Sequence, residues 1–281
     1  MYICRIEVFA KMRKFLLSFL LLNIIISVVC AQQTTVIPAS YTAGDASVAY
    51  SNAWLPFQNP AALGGAEKMG FLLLYENKYI TKELSNKVVN AWLPTKYINI
   101  GVSFSHLGYS EYNEMLAALT FARKFGKFKL GVELDYYTLF LSQSKRYQGT
   151  LTAQVGMQVN LTEDFSLAFS AFNPVFSKVK SDLAEKRLPT VFSLGSLYKI
   201  RNTVDWYVQF DKEVSSPFRW ATGFEYSPVK ELIIRLGAYG YNSFVPTLGV
   251  GLRFDKFKFD ISSAYSSTLG FSFLGAVGYG F

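Results

Sequence analysis

Apolar and polar residues alternate along most of the chain, with a period of two residues. In Thr150 to Leu161, Leu, Ala, Val and Met occupy every second position, and Thr, Gln, Gly and Asn occupy the positions between them. The same alternation recurs in Lys127 to Phe140 and in Val204 to Asp211. Because successive side chains of a β-strand point to opposite faces, this pattern predicts strands with one apolar and one polar face.

Such runs continue from Lys68 to Phe281 and predict about 14 strands of roughly 9 to 13 residues, the length that a tilted strand needs to cross a bilayer. Short polar joints such as Pro94-Thr95-Lys96 separate some strands, and Asn173 to Leu188 is the longest connection. A soluble barrel would turn its apolar faces inward, whereas a membrane barrel turns them towards lipid. The period alone does not choose between these two architectures.

The positions of the aromatic residues favour the membrane barrel. They make up 17% of the chain, and many of them, such as Trp92 and Tyr226, lie within a few residues of a predicted turn. Strand propensity explains their number but not these positions, whereas amphipathic rings prefer the membrane boundary. Together with the number of strands and an export leader, they predict an all-β transmembrane antiparallel barrel.

The start of the chain has the features of a secretory signal peptide. Phe15 to Val29 is an apolar run that follows three basic residues and leads into small residues ending at Ala31. We expect residues 1–31 to be removed, and Met12 is an alternative to Met1 as the true start. A membrane anchor is the other interpretation, but the run is short for a spanning helix of about 20 residues.

Both cysteines, Cys4 and Cys30, lie within this leader. The mature chain is therefore predicted to contain no disulfide and no cysteine metal site. Loss of the leader removes four basic residues and one acidic residue, which lowers the net charge from +8 to +5. This modest excess, without a basic cluster on a helix, argues against a nucleic-acid partner.

A segment of small and polar residues, 32–66, separates the leader from the predicted barrel, 67–281. Within it, Asn59 to Leu63 predict a single helical turn, because Asn caps helices, Pro suits their first turn and Gly64-Gly65 would end one. So short a helix is not stable alone. We expect it to lean on the inner barrel wall, where glycines on the polar faces leave room. The alternative is a simple turn that leads into the first strand.

The succession of GDASVAYSNAW, NPAAL and about 14 strands ending in Phe resembles the FadL-like superfamily of outer-membrane barrels, and within it the PorV/PorQ-type proteins of Bacteroidota. This resemblance implies an integral protein of the outer membrane, surrounded by its lipid, whose N-terminal segment plugs the barrel. The implied plug residues are Asn59, Pro60, Ala61, Ala62 and Leu63.

The resemblance also implies a function that depends on protein partners. In PorV/PorQ-type proteins, a non-catalytic barrel docks or shuttles partner or secreted proteins, as in type IX secretion. The alternative within the superfamily is a channel that takes up hydrophobic small molecules, with a hydrophobic ligand in the lumen. Leu116, Leu197 and Ile233 fall on the predicted inner faces and keep this alternative open.

Charged residues on the polar faces of the last strands predict a charge network in the lumen. Their signs are mixed, so that neighbouring strands can pair opposite charges and fill the lumen. A ring of one sign would instead indicate an ion-selective pore. The predicted members are Arg219, Glu225, Glu231, Arg235, Arg253, Lys258 and Asp260.

The final strand carries a further pattern. Val277, Tyr279 and Phe281 share one face, and Phe281 ends the chain. An apolar final strand with a terminal aromatic residue resembles the signal by which outer-membrane barrels are recognised for insertion.

The sequence offers no catalytic set. His106, the one histidine, falls on the lipid-facing side of its strand near a turn, and it has no Ser and Asp partners in a recognisable arrangement. Gly249 to Arg253 contain a GxG sequence, but no helix follows, as a dinucleotide site requires. No spacing of His, Asp and Glu suggests a metal. We therefore predict neither catalytic residues nor a metal or cofactor.

Overall fold

A computed structural model describes residues 36–50, 54–55, 57–180, 185–201, 203–241 and 243–281. The predicted leader, 1–31, and the first four residues of the predicted plug segment lie outside this part of the chain. No helix within the described ranges is both long and apolar enough to span a bilayer.

Fourteen antiparallel strands close into a barrel, and a two-stranded hairpin stands apart from it. In chain order the strands are β1 (Gly70–Asn77), β2 (Ser85–Leu93), β3 (Asn99–Gly108), β4 (Tyr112–Phe125), β5 (Phe128–Leu141), β6 (Arg146–Asn160), β7 (Phe165–Phe172), β8 (Lys178–Lys180), β9 (Glu185–Arg187), β10 (Val191–Ile200), β11 (Val204–Glu213), β12 (Phe218–Val229), β13 (Leu232–Gly240), β14 (Val245–Phe254), β15 (Phe257–Ser266) and β16 (Gly270–Gly280). Short 3-10 helices span Ala43–Asp45, Pro60–Gly65, Lys78–Ile80 and Lys82–Leu84.

The barrel closes by pairing its first strand with its last. Strand β1 runs antiparallel to β16 in a continuous register from Gly70 opposite Gly280 to Asn77 opposite Phe273. Hairpin β8–β9 lies in the long connection between β7 and β10. Because no strand of the barrel is left with an open edge, all its strands can satisfy their backbone groups within lipid. The predicted all-β barrel of about 14 strands is confirmed.

The two faces of the strands are inverted relative to a soluble protein. On β5, Leu130 and Leu134 are 45% and 53% exposed, whereas Glu133 and Asp135 on the opposite face are 3% and 0% exposed. Apolar side chains therefore form the outer band of the barrel and polar side chains point into the lumen, as lipid outside the wall requires. His106 lies on the outer face, between the inward-facing Ser105 and Leu107, as the pattern predicts.

The described part of the predicted plug segment, which we call the plug (residues 36–50, 54–55 and 57–66), traverses the lumen. At one end, the Val36 carbonyl accepts hydrogen bonds from Asn86 Nδ2 at 2.8 Å and Ser105 Oγ at 2.6 Å. At the other end, Asn99 Nδ2 donates to the carbonyls of Leu63 at 2.9 Å and Ala66 at 3.0 Å. The first end is that of the long β7–β10 connection, and the second is that of the short turns. We call them the loop end and the turn end.

Candidate functional site, the plugged lumen

The predicted helical turn lies inside the barrel, as a 3-10 helix over Pro60–Gly65. Asn59 caps it: its Oδ1 accepts a hydrogen bond from the Ala61 amide at 3.0 Å, and its Nδ2 donates to the Val48 carbonyl at 2.7 Å. Pro60, Ala61, Ala62 and Leu63 are all buried. Asn59 thus joins the helical turn to the turn around Val48 earlier in the plug.

Glycines of the barrel wall make room for the plug. A β-carbon on Gly101 would lie 3.1 Å from Leu63 Cδ2, and one on Gly131 would overlap the backbone of Pro60. Further wall glycines that face the plug in the same way are Gly156, Gly195, Gly223 and Gly237. Gly249 and Gly251 do not face the plug: a β-carbon on Gly251 would crowd Asp260 and Arg235, and one on Gly249 would lie closest to Ile261 and Ser262.

Amide side chains of the wall satisfy the irregular backbone of the plug. Gln209 Oε1 accepts hydrogen bonds from the amides of Ser47 at 2.7 Å and Val48 at 2.8 Å. Gln158 Nε2 donates to the Ala49 carbonyl at 3.0 Å. A buried backbone outside regular secondary structure needs such partners, because unpaired amides and carbonyls are costly away from water. These glutamines were not singled out from the sequence, since their partners lie more than 100 residues away.

The most buried ion pairs lie on the β12–β15 side of the lumen. Arg235 donates from Nε to Glu225 at 2.8 Å and from Nη1 to Asp260 at 2.6 Å, and Lys258 Nζ lies 3.3 Å from the other Asp260 oxygen. Lys258 also lies over the ring of Tyr41 in the plug, 4.4 Å from its centroid. Burial raises the pKa of Tyr41 well above its ordinary value, so its hydroxyl stays protonated.

A second ion-pair group ties the plug directly to the wall. Arg219 Nη1 lies 2.6 Å from Asp211 on β11, and its Nη2 lies 2.5 Å from Asp45 of the plug. Neither acidic residue was in the predicted charge network. Asp45 belongs to the plug, and Asp211 faces Arg219 only through the β11–β12 register.

Two residues of the predicted network are exceptions. Glu231 is exposed in the turn between β12 and β13, where its carbonyl accepts a hydrogen bond from the Arg253 amide at 2.8 Å. Arg253 shares the inner-face parity but is itself exposed near the turn end. None of the ion pairs found among the described residues includes either side chain, because both have reached the edge of the barrel, where water screens them.

The neighbouring sector of the lumen wall, on β16, β1 and β2, carries several buried apolar side chains. Leu72 and Leu74 of β1, Val88 of β2, and Leu274 and Ala276 of β16 are buried on adjacent strands. We call these five residues the apolar wall. In the plug, Leu55, Phe57 and Leu63 belong to the same cluster of buried apolar residues. Leu116, Leu197 and Ile233, which the sequence placed on inner faces, are likewise buried.

Little space is left between the plug and the wall. The cavity beside the helical turn has a volume of about 20 Å³, which is room for about one water molecule. Its lining combines Leu55, Phe57, Asn59, Pro60 and Leu63 of the plug with Asn90, Gly101, Ser103, Thr120 and Glu133 of the wall. The described state is therefore closed at this level.

Hairpin β8–β9 packs at the loop end of the lumen. Val179 and Leu188 of this region are buried. Lys186 Nζ lies 2.5 Å from Glu114 Oε1 and 3.0 Å from the hydroxyl of Tyr112, both on β4. The hairpin thus contributes an ion pair to the buried Glu114 that fastens it to the barrel, although the Lys186 side chain is itself 23% exposed.

The C-terminal residues of the predicted insertion signal lie on the outer face of β16. Val277 and Phe281 are 41% and 46% exposed, and the rings of Tyr279 and Phe281 are 4.8 Å apart. The Phe281 amide donates to the Met69 carbonyl at 2.9 Å, which completes the pairing with the start of the barrel. The residues are therefore accessible from the lipid side, and their role in insertion remains a prediction.

No protein-family model matches the chain, and no curated protein sequence matches it. Solved structures do. The CymD monoaromatic hydrocarbon channel is 12% identical, with a TM-score of 0.62 over 86% of this chain and 96% of that one. The toluene transporter TbuX of Ralstonia pickettii is 11% identical, with a TM-score of 0.64, and the match covers 87% of this chain and 98% of TbuX. A FadL homologue of Pseudomonas aeruginosa is 11% identical, with a TM-score of 0.58, and the match covers 86% of this chain and 98% of the homologue.

At this level of identity the comparisons show the fold. The chain has the barrel fold of these channels and of the FadL homologue, which confirms the predicted FadL-like architecture, and its apolar outer band is consistent with the predicted place in the outer membrane. The finer likeness to PorV/PorQ-type proteins stays a prediction.

Proposed function

We propose that this protein is a non-catalytic channel for small hydrophobic molecules, closed by its plug in the described state. The observation that carries the proposal is the apolar wall on β16, β1 and β2, which belongs with Leu55, Phe57 and Leu63 of the plug to one cluster of buried apolar residues. Such a surface offers no hydrogen bonds to a polar solute, whereas the transfer of a hydrophobic solute from water to it is favourable. The solved relatives that are described as toluene or monoaromatic hydrocarbon transporters support the same class of solute.

Phe57 indicates the size of solute that would fit. Its benzyl side chain has the dimensions of toluene, and it is buried in the cluster that includes the apolar wall. Its backbone lies in the left-handed region, with φ at 62°, which is strained for a bulky residue. Movement of Phe57 out of the cluster would relieve this strain and leave a space for a monoaromatic molecule between the plug and the wall. The proposed gate is therefore the plug itself.

A reversible cross-link between plug and wall tests this gate. Leu63 and Gly101 lie against each other, and both cysteines of the chain lie in the predicted leader. In the Leu63→Cys, Gly101→Cys double variant, a short thiol cross-linker should fix the plug. Cells that express the protein should take up labelled toluene faster than cells with an empty vector. Cross-linking should abolish the difference, and a reductant should restore it.

Each single-cysteine variant, treated in the same way, is the matched control and should keep its uptake. Uptake equal to that of the empty vector for the unmodified protein, assembled in the outer membrane, would exclude the channel. Uptake that persists after complete cross-linking would exclude the plug as its gate.

The filled lumen favours a second candidate, the docking role predicted from the PorV/PorQ resemblance. A barrel with a residual cavity of about 20 Å³ and a buried Arg235 network can serve as a rigid membrane platform without conducting. Type IX-like docking predicts that a secreted or outer-membrane protein co-purifies in stoichiometric amount after mild detergent extraction, and that hydrocarbon uptake is absent. The uptake assay therefore separates the two candidates.

A further inference from the structure

Two carboxylates and an amide lie side by side on the inner wall, away from the ion pairs described above. Glu133 and Asp135 are on β5, and Gln154 is directly opposite Glu133 on β6. Their exposures are 3%, 0% and 2%. We call these three residues the β5–β6 acidic site.

Four oxygens of this site accept no hydrogen bond from the described residues: Oε1 of Glu133, both carboxylate oxygens of Asp135, and Oε1 of Gln154. No described lysine or arginine forms an ion pair within 4.0 Å of either carboxylate. Buried charges are normally paired with an opposite charge or coordinate a metal. The described residues outside the site offer neither kind of partner, and the carboxyls of Glu133 and Asp135 are close enough to share a proton with each other.

The surrounding donors are engaged elsewhere. The Thr120 hydroxyl donates to the other oxygen of Glu133. Thr152, opposite Asp135 in the register, donates its hydroxyl to Asn173 Oδ1 at 2.8 Å. On the other side, Asp135 faces Ala118, which has no side-chain donor. Gln154 Nε2 donates to the Gln58 carbonyl at 2.8 Å, which fixes its amide so that Oε1 is the free atom.

Two kinds of partner suit such a group, a proton shared by the carboxyls or a bound cation. A shared proton provides a donor to one oxygen and leaves the others unpaired. A cation can interact with several of the oxygens at once, and an all-oxygen set is the one that Ca²⁺ and Mg²⁺ prefer. We therefore propose that Glu133, Asp135 and Gln154 bind a hard divalent cation, with Ca²⁺ as the best fit because it accepts irregular oxygen coordination.

The position of the site gives the cation a structural consequence. Glu133 also lines the small cavity beside Asn59 and Leu63, which has room for a water molecule as a further ligand. Gln154 contacts the plug through Gln58. A cation bound there would hold β5 and β6 more rigidly beside the helical turn of the plug. This inference does not depend on whether the barrel conducts hydrocarbons.

The test uses the full mature protein, purified from membranes in detergent and also refolded with either Ca²⁺ or a chelator. Elemental analysis after dialysis should find one Ca²⁺ per chain in the protein refolded with Ca²⁺. Tb³⁺ should bind the chelator-treated protein and show tyrosine-sensitised luminescence, because Tyr137 follows Asp135 on the same inner face. Ca²⁺ should compete with Tb³⁺ and raise the unfolding temperature.

Glu133→Gln and Asp135→Asn keep the shape of the side chains and remove the charge. Each should weaken Tb³⁺ binding at least about tenfold, as loss of one charged ligand predicts. Glu114→Gln is the matched control, since Glu114 is a buried lumen acid with partners in Lys186 and Tyr137, and its variant should bind Tb³⁺ like the parent.

Refolded parent protein that binds neither Ca²⁺ nor Tb³⁺ would overturn the proposal, as would equal binding by the parent and both acidic-site variants. If a variant fails to assemble, the Ca²⁺ content and the Ca²⁺-dependent unfolding temperature of the parent protein still decide the question.

Discussion

Gly131 of the barrel wall lies directly against Pro60 of the plug. An ideal β-carbon on Gly131 would meet the Ala61 amide nitrogen at 2.5 Å and would overlap the Pro60 carbonyl carbon. Both contacts are with backbone, which has little freedom to move aside. The wall and the plug are thus matched at the level of single methyl groups, and glycine at this strand position is explained by the close approach.

Gly131→Ala should therefore loosen the plug. We expect a loss of about 1–3 kcal/mol in the free energy of unfolding, the usual cost of overpacking. We also expect faster protease cleavage within the plug. Urea unfolding in detergent and limited proteolysis measure these effects. Gly275→Ala is the control, because its β-carbon would meet nothing within 4 Å, and it should leave both unchanged. Equal behaviour of the two variants would contradict the packing described here.

Arg235→Met should be among the most destabilising single changes in the lumen. It leaves Glu225 without its partner in a site where the arginine side chain is 1% exposed. Loss of one member of a buried ion pair costs about 3–5 kcal/mol, because the remaining charge stays buried. Urea unfolding again supplies the measurement.

Two controls separate charge from packing in that experiment. Adding Glu225→Gln to Arg235→Met should recover part of the loss, since Asp260 keeps Lys258 at 3.3 Å. Lys178→Met breaks the hairpin pair with Glu185, whose side chains are 43% and 38% exposed, and should cost at most about 1 kcal/mol. No recovery in the double variant would mean that the arginine acts by packing alone.

Alternation along the chain was sufficient to predict the barrel and to predict which residues of each strand face the lumen and which face lipid. It placed Arg235, Glu225 and Asp260 on inner faces and His106 outside, because parity within a strand survives any error in its ends. It failed for Glu231, since parity says nothing of where a strand leaves the lumen. The ion pair of Arg219 with Asp45 spans 174 residues, and a local pattern carries no information about such a contact.

The proposed channel function rests on an equally non-local property. The apolar wall exists because β1 closes on β16, which brings residues near the two ends of the barrel sequence together. Taken strand by strand, each inner face contributes only one or two of these apolar residues, beside polar ones such as Glu76 and Asn90. Only closure makes them one surface, so the feature on which the channel proposal rests is not visible in the sequence of any one strand.

Asn59→Ala should weaken the helical turn of the plug in two ways. It removes the cap on the Ala61 amide, worth about 1 kcal/mol, and it leaves the buried Val48 carbonyl without its donor, at about 1–3 kcal/mol. Asn59→Ser restores a good cap but not the longer reach to Val48, so it should recover only the first contribution. Urea unfolding of the three proteins measures the difference. Full recovery by serine would show that the Val48 contact contributes nothing.

Phe281→Ala should separate insertion from stability. The Phe281 side chain is 46% exposed on the outer face, and its backbone bond to Met69 does not depend on the side chain. We therefore expect refolding and urea unfolding in detergent to change by less than about 0.5 kcal/mol, as for other surface substitutions. If the terminal ring is recognised during insertion, the amount of folded barrel in the outer membrane of cells should fall several-fold.

Phe271→Ala is a matched control, because Phe271 lies on the same face of β16 with the same 46% exposure. Equal assembly of both variants in cells would show that the last residue carries no special signal.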